Sequence, residues 1–557
     1  MSTGFKIEVA KSPDSAESMR APSAPPNDHV PIHDMPKIGR AFGVVGVATL
    51  TSRLLGYLRD MAMASFFGAG MVADAFLVAF IVPNLLRRLF AEGVLSSAFV
   101  PVYSDHIARF GRAEADRLAG SAARLLLLVL SVATLMGIVL APELIDRMVM
   151  GWSETTGKYT LCVKLTRLML PYLIFIGLAA LGMGVLNVLG HFAAPALSPA
   201  LLNVAMIAAL AVGWFASSDP QRQIQFLALG VTCGGALQLV ALWPFLKQRG
   251  VPLLLSGPLW HPRLKRVLLL MGPVFFGSAL FQVNGVVARL LASLLPEGSV
   301  ACLYYADRLI ELPLGVFGIA AATAVMPTLS HQAAMRRWNG LRLTFCYAMR
   351  LVFFVTIPAM AGLIVLRHPI VTLLLQRGAF DPHAAQATAD AVLFYGVGLW
   401  AFAAERIMLN TFYALQCART PLVVGVAVMA AHILLAVLLM KPLGPNGLAL
   451  ALALASSLNF VALAWLLQRR VGALGWRKVA VSAGKSSAAA LVMGLILYAI
   501  QPGMVPLTQG RGPFILAMEV GSCIILGIAV YGLLTWLFRS DELFDVLNLI
   551  FNRKNRP

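Results

Sequence analysis

Long apolar runs follow one another along nearly the whole chain, separated by short polar connections. A helix needs about 20 apolar residues to cross the hydrocarbon core of a bilayer. On that measure the pattern predicts fourteen spans, at 40–67, 71–91, 119–142, 160–190, 195–215, 224–246, 264–295, 300–328, 342–367, 383–415, 420–442, 445–468, 479–501 and 513–538. Between the second and third, "VLSSAFVPVYSDHIARF" mixes polar and apolar positions and reads as an interfacial or re-entrant helix. Several spans contain Gly or Pro, which membrane helices tolerate where neighbours or cavity water satisfy the freed backbone groups. Residues 1–36 break the pattern. They are polar and rich in Pro and Ser ("KSPDSAESMRAPSAPPNDHVPIHD"), without the apolar core of a secretory signal, and are expected to be a disordered tail. Met35, directly before the first span, is an alternative start.

Composition agrees with this pattern. Of 557 residues 59% are hydrophobic and 12% charged, and mean hydropathy is +0.81. A soluble protein could not keep that much apolar surface from water. The expected fold class is an all-α polytopic membrane protein. Two faint internal similarities refine it. "LNVLGHFAAPALSP" (186–199) parallels "LNTFYALQCARTP" (409–421), and "FVPVYSDH" (99–106) parallels "VMPTLSHQ" (325–332). Each pair lies six spans apart, which predicts two six-helix lobes, 37–246 and 247–468, with two further helices in 469–538 and a cytoplasmic tail at 539–557. Transporters built from repeats place substrate between the halves.

The net charge of +19 raises the question of nucleic acid, but the basic residues sit mainly in short connections between spans. The even-numbered connections and the C-terminal tail hold 22 Lys and Arg, the odd-numbered ones 7. The positive-inside rule therefore puts both termini in the cytoplasm and removes the reason to expect a nucleic-acid partner. Six scattered cysteines form no CxxC pair and read as small packing residues.

Catalytic signatures are missing. "SAGKSS" (482–487) ends like a phosphate-binding loop, but Val479 stands where the first glycine belongs. No HExxH or GxSxG occurs, and the few histidines are dispersed, so neither catalytic residues nor a metal site nor a cofactor is expected. Work would come from an ion gradient, the membrane potential or substrate concentrations.

What remains to be explained is charge inside the spans. "TSRLLGYLRD" (51–60) puts Arg53, Arg59 and Asp60 in the first span, where lipid-facing charge costs about 2.5–3.5 kcal/mol per residue on insertion scales. On an ideal helix Arg53 and Asp60 share a face and Arg59 lies about 120° away; Gly56 between them is a natural place for a bend. Arg53 and Asp60 could be a structural pair, or all three could face a cavity. Arg87 and Arg88 close the second span, either as a positive inner flank or as cavity residues. Arg308 opens the eighth beside Asp307 and Glu311, which could hold its guanidinium. Further in-span charges are Lys164, Arg167, Arg289, Glu405 and Arg406. The balance is cationic. Arginine's planar fork grips phosphate oxygens bidentately, so a multiply charged anion such as a pyrophosphate fits better than an organic cation.

Two stretches also carry a family resemblance. "SRLLGYLRD…FGAGMVADAFLVAFIVPNLLRRLFAEGVLSSAFVPVYSD" (52–105) and "YYADRLIELPLGVFGIA…MPTLS" (304–330) closely resemble the signatures of the MurJ/MviN family of lipid II flippases. Similarity extends from about residue 38 to 540. The resemblance implies a member of the multidrug/oligosaccharidyl-lipid/polysaccharide superfamily in the bacterial inner membrane, with a central cationic cavity and a lipid-tail groove at the last two helices. Its substrate would be lipid II, an undecaprenyl-pyrophosphate-linked disaccharide-pentapeptide, with membrane lipids and the cell-wall synthesis machinery as surroundings. The family's important arginines fall on Arg53, Arg59, Arg87 and Arg308. Asp60, Asp74 and Glu311 are matched acids expected to restrain them, with Asp307 beside. Arg87 and Glu92 are expected at an inner gate, Gly56 at a bend, and Arg406 replaces a family lysine. Some relatives carry an acidic sodium site in the C-terminal lobe, but spans eleven and twelve here offer only His432 and Asn459, so such a site is not expected. The rival readings are a flippase for another undecaprenyl-linked glycan, a cation-coupled drug exporter, and a scaffold for cell-wall synthesis.

Overall fold

A computed structural model of the chain describes residues 35–89, 95–149, 152, 157–251, 258–315, 319–508 and 512–551. Residues 1–34 of the expected tail and Glu92 lie outside this set. The described residues form helices and connections, without a strand among them. The first half comprises α1 (Met35–Phe67), α2 (Met71–Ala79), α3 (Ile81–Leu89), α4 (Leu95–Phe110), α5 (Arg112–Val139), α6 (Ala141–Met148), α7 (Gly157–Met169), α8 (Tyr172–Val188), α9 (Ala193–Ala216) and α10 (Pro220–Gln248). The second comprises α11 (Leu264–Ser293), α12 (Ser299–Pro313), α13 (Ile319–Ala334), α14 (Trp338–Val365), α15 (Arg367–Leu374), α16 (Pro382–Gly396), α17 (Leu399–Ala414), α18 (Arg419–Leu443) and α19 (Pro445–Val471). After these come α20 (Trp476–Thr508), α21 (Pro513–Leu537) and α22 (Asp541–Phe551). The described residues of the fourteen expected segments are mainly helical. By length and hydropathy nine helices qualify as spans among the described residues, and the α16–α17 pair, bent by 46°, makes a tenth.

The halves share their interruptions. The fourth and tenth expected spans are both interrupted, α7 from α8 by a turn at Leu170–Pro171 that leaves Gly157–Val188 a single span, and α16 from α17 by the 46° bend at Val397–Gly398. Pro171 has no N–H to continue the ladder. A short helix follows the third and ninth spans alike, α6 in one half and α15 in the other. Packing repeats too: α4 lies on α5 and α8, and α13 lies on α14 and α17. The segment expected to be interfacial or re-entrant is therefore a packed helix, the counterpart of α13. Ala98, Phe99, Val102 and Tyr103 bury its face, and Tyr103 donates to Asp116 of α5 at 2.8 Å. Its mixed polarity is that of an amphipathic helix: the apolar face is buried, Ser104 and Arg109 stay exposed, and Asp105 lies 3.8 Å from Arg263 and Arg266.

Beyond the lobes, α20 packs along α14 and α21 along α20. Phe514, Met518, Ile525 and Leu533 of α21 stay exposed, as expected of a lipid-facing helix. The chain end is fastened by α22. Arg350 of α14 donates to Glu542 at 2.5 Å and to Asp541 at 2.8 Å, and Ser482 of α20 donates to Glu542 at 2.6 Å. Burial alone would raise the Glu542 carboxyl; the hydrogen bonds from Ser482 and Arg350 outweigh it and hold the group below the ordinary glutamate range.

Candidate substrate cavity

Helices α1, α3, α8, α9 and α10 of the first half and α12 and α17 of the second enclose a cavity of about 920 Å³. Its lining includes six arginines, Arg53, Arg59, Arg87, Arg88, Arg308 and Arg406, against two carboxylates, Asp60 and Glu311. The arginines come from both halves of the chain, so this cationic surface is built where the halves meet.

Asp60 organises the deepest part. Arg59 donates to its Oδ1 through Nε at 3.0 Å and Nη2 at 2.7 Å, and Tyr304 of α12 donates to the same oxygen at 3.0 Å. Arg308 Nε stands 3.4 Å from the other oxygen. Arg59 also donates to Asn203 Oδ1 of α9 at 3.0 Å, and Asn203 returns a bond to the Ser52 carbonyl at 3.1 Å. Between the two halves Tyr57 donates to the Arg308 carbonyl at 2.6 Å, and within α12 Arg308 Nη1 donates to Glu311 at 2.5 Å. The Arg308 guanidinium lies 5.0 Å over the Tyr304 ring. Arg59 and Asp60 are buried, 8% and 4% exposed, so each depends on this network for its charge. Arg53 and Arg406 are instead exposed toward the cavity. Asp60 thus pairs with Arg59 and Arg308 rather than with Arg53. Gly315 explains the position of Arg53: a Cβ at Gly315 would overlap the Arg53 guanidinium. Arg87 donates to Asn84 at 3.2 Å through both Nε and Nη2.

Beyond Asp60, residues of the two halves bond to one another directly. Asp74 accepts from the Gly298 and Ala301 N–H groups at 2.8 and 2.9 Å, at the start of α12, and from Lys158 of α7 at 2.7 Å. Anionic oxygen at a helix N-terminus meets the unpaired N–H groups and the positive dipole end. Glu297 accepts from the Met71 N–H at 2.6 Å, and the Ala379 N–H donates to the Ser65 carbonyl at 2.8 Å. Glycine is required at two of these contacts. Gly298 has φ +86° and a Cβ there would strike the Ala69 carbonyl; Gly378 has φ +57° and would strike that of Ser65.

The expected site residues divide accordingly. Arg53, Arg59, Asp60, Arg87, Arg308, Glu311, Arg406 and Gly56 all line the cavity. The helix is continuous through Gly56, where a Cβ would meet Asn203 Nδ2 at an ordinary 3.8 Å, so neither a bend nor a steric need for glycine is found at this position. Asp74 does not restrain the cavity arginines; it belongs to the bonds between the halves. Asp307 does not line the cavity and is within electrostatic reach of Arg289, which does not line it either. Glu405 points the other way from its neighbour Arg406, as a 100° step along α17 requires. It accepts from Asn459 at 2.6 Å in a small separate cavity between α17, α18 and α19. An acid from the tenth span therefore reaches a region where the eleventh and twelfth supply none. Tyr57, Tyr304, Asn203 and Lys158 were not among the expected site residues. An asparagine in the apolar fifth span was the one signal available for Asn203.

A family model described as "Lipid II flippase MurJ" matches residues 63–509. A probable lipid II flippase MurJ of Vibrio cholerae is 36% identical over 430 residues, covering 75% of this chain and 81% of its own length. One from Rhizobium tropici is 34% identical over 523 residues, covering 93% and 97%. Among solved structures, a lipid II flippase MurJ in an inward closed conformation matches with TM-score 0.74 and 26% identity, over 89% of this chain and 99% of that one. An inward-facing MATE-family multidrug transporter of the MOP superfamily shares the fold, with TM-score 0.66 at 16% identity over 76% of this chain and 95% of that one.

Proposed function

The chain belongs to the lipid II flippase MurJ family, and from that premise we propose that it carries lipid II from the inner to the outer leaflet of the bacterial cytoplasmic membrane by alternating access. It is a transporter and a multi-pass membrane protein. The observation that carries the substrate assignment is the cavity between the lobes, in which arginines outnumber carboxylates six to two. A pyrophosphate cannot cross the hydrocarbon core unaccompanied; guanidinium groups supply both countercharge and paired donors for its oxygens. The same lining disfavours a cation exporter.

In this reading Arg53 and Arg406, exposed toward the cavity, meet the pyrophosphate first, with Arg87 nearer the entrance. Arg59 and Arg308 are reached when phosphate oxygens replace Asp60 as their acceptors, and Glu311 retains Arg308 meanwhile. The lobes are 37–246 and 247–468, and the polyprenyl tail stays in lipid along α20 and α21. The distribution of Lys and Arg supports cytoplasmic termini. It follows that the Asp74 seal is on the outer side and the cavity is loaded from the cytoplasm. Opening outward requires Asp74 to release α12. With no phosphate-binding loop for ATP, the drive comes from the membrane potential or an ion gradient, and release delivers lipid II to the cell-wall synthesis machinery.

The test is outer-leaflet exposure of lipid II in cells depleted of their own flippase. The unaltered chain restores exposure, and Arg308→Ala at matched membrane level does not. Failure of the well-expressed unaltered chain overturns the substrate assignment. Normal exposure with Arg308→Ala overturns the role given to that arginine.

A further inference from the structure

Three residues far apart in sequence meet away from the cavity: His106 near the end of α4, Glu114 in the first turn of α5, and His261 just ahead of α11. One donor atom from each lies within 4.8 Å of the other two. His261 Nε2 is 3.4 Å from Glu114 Oε1, close to the ligand–ligand spacing around a tetrahedral ion with bonds of about 2.0–2.1 Å. His106 is 4% exposed, and neither of its ring nitrogens has a hydrogen-bond partner. Its ring meets that of His261 edge-on, with the planes at 86° and centroids 5.4 Å apart. Buried polar groups are normally satisfied, so a buried imidazole with both nitrogens unmet calls for an explanation.

We infer that His106, Glu114 and His261 form a binding site for a divalent transition-metal ion, zinc being the first candidate. Two imidazoles and a carboxylate are the donor set of open zinc sites, and imidazole disfavours magnesium and calcium. Glu114 has an oxygen to give, because Arg117 donates only to its Oε2, at 3.0 Å. The nearby cations are directed elsewhere: Arg263 and Arg266 each lie 3.8 Å from Asp105 Oδ2. Binding through His261 Nε2 moves the ring proton to Nδ1 and gives up the 3.2 Å contact that Nδ1 accepts from the Arg263 N–H. His106 presents either nitrogen without losing a bond.

The location gives such an ion a consequence. α4 and α5 belong to the first half, α11 begins the second, and α11 packs on α4. An ion here ties the start of the second half to the first, on the face opposite the Asp74 seal. The inference does not depend on the transported substrate.

The test uses the full chain, purified in detergent without a polyhistidine tag, stripped by a chelator and titrated with Zn²⁺ against a zinc-binding dye. One tight equivalent is expected. His106→Ala and His261→Ala should each weaken it by more than about 100-fold, since losing an outer-shell partner alone costs 10–100-fold. Glu114→Gln keeps the shape and removes the charge. It should weaken binding at least about tenfold and abolish a Zn²⁺-induced rise in melting temperature. Because that variant is isosteric, it decides the question even if a histidine variant fails to fold. His29 and His33 in the N-terminal tail are the obvious alternative ligands, and replacing both should leave the equivalent intact. Absence of a tight equivalent, or one lost with His29 and His33 and indifferent to Glu114→Gln, overturns the site.

Discussion

Asp60 and Asp74 lie on consecutive helices, both are buried, and both bond across the boundary between the lobes, yet their partners differ in kind. Asp60 is held by side chains: Arg59, Tyr304 and Arg308. Asp74 is held by two backbone N–H groups at the start of α12 and by Lys158. Side-chain donors can swing to a phosphate and return. Backbone donors at a helix terminus are fixed, so Asp74 releases them only when α12 itself moves away. The first arrangement is suited to exchanging partners with a ligand and the second to reporting whether the lobes are together. In the proposed cycle similar carboxylates thus serve different steps, because one faces a polar cavity and the other a closed joint.

Removing Asp74 should have the largest effect. Asp74→Ala strands Lys158, whose side chain is 10% exposed, and leaves two helix-terminal N–H groups without their acceptor. Breaking a buried pair from one side costs about 3–5 kcal/mol, so a large fall in melting temperature in detergent is expected. Lys158→Met should cost less, since Asp74 keeps its backbone donors and the dipole of α12. Equal losses from both would mean that the charge pair, not the helix terminus, holds the seal.

Gly298→Ala attacks the same joint through shape. Its Cβ meets the Ala69 carbonyl, and φ +86° is strained for any residue with a Cβ. A penalty of about 1–3 kcal/mol is expected, directed at the sealed state. A disulfide between Ser65→Cys and Ala379→Cys, where backbones already bond at 2.8 Å, should then form several-fold less. Unchanged cross-linking would show that the seal tolerates the extra carbon and is looser than its contacts imply.

Asp60→Asn sharpens the other side of the comparison. The neutral amide keeps an acceptor oxygen for Arg59 but competes poorly with phosphate for Arg308. Inorganic pyrophosphate should bind the purified variant about tenfold more tightly, or roughly 1.4 kcal/mol, while lipid II exposure in cells falls because release is slowed. Weaker pyrophosphate binding would mean that Asp60 positions the arginines for the anion rather than withholding them from it.

Much of this division was legible in the sequence, and the part that was not has physical causes. Arginines within apolar runs announce a cavity because lipid would not tolerate them, so Arg53, Arg59 and Arg308 could be singled out before any helix was placed. Partner choice could not be read. Arg53 and Asp60 share a face of an isolated helix, but Asp60 turns to Arg308 and Tyr304, which arrive from the other half. Asp74 resembled the cavity acids in type and differed only in what packs against it. The packing of α4 was legible but passed over: Leu95, Ala98, Phe99, Val102 and Tyr103 repeat at helical spacing and are buried in an apolar cluster with α5 and α8, while the polar residues between them drew the interfacial reading. His106, Glu114 and His261 were missed for the reason that made metal seem absent: their spacing is meaningless until the fold closes α11 over α4.

A third carboxylate, Glu542, tests the comparison at its mildest. Like Asp60 it is held by side chains, Arg350 of α14 and Ser482 of α20, but it lies on α22, away from the cavity and the boundary between the halves. Its carboxyl is held below the ordinary glutamate value of 4.5, the hydrogen bonds outweighing burial. A depressed value means that docking of α22 is favoured by ionisation. The contribution is fully present above the ordinary value and is lost as pH falls through the lower, docked-state value. Protection factors in α22, the exchange rates corrected for the intrinsic pH dependence of amide exchange, should therefore hold steady from neutral to mildly acidic pH and fall in strong acid, while those in α14 hold. Glu542→Gln should raise the neutral rate several-fold, corresponding to about 1 kcal/mol for a weakened charge-assisted bond, and flatten the acid response. If the variant keeps the full acid response, another group unlatches the helix. If α14 loosens together with α22, the contact is part of the C-terminal lobe's framework, and side-chain donors alone do not mark a joint that can open by itself.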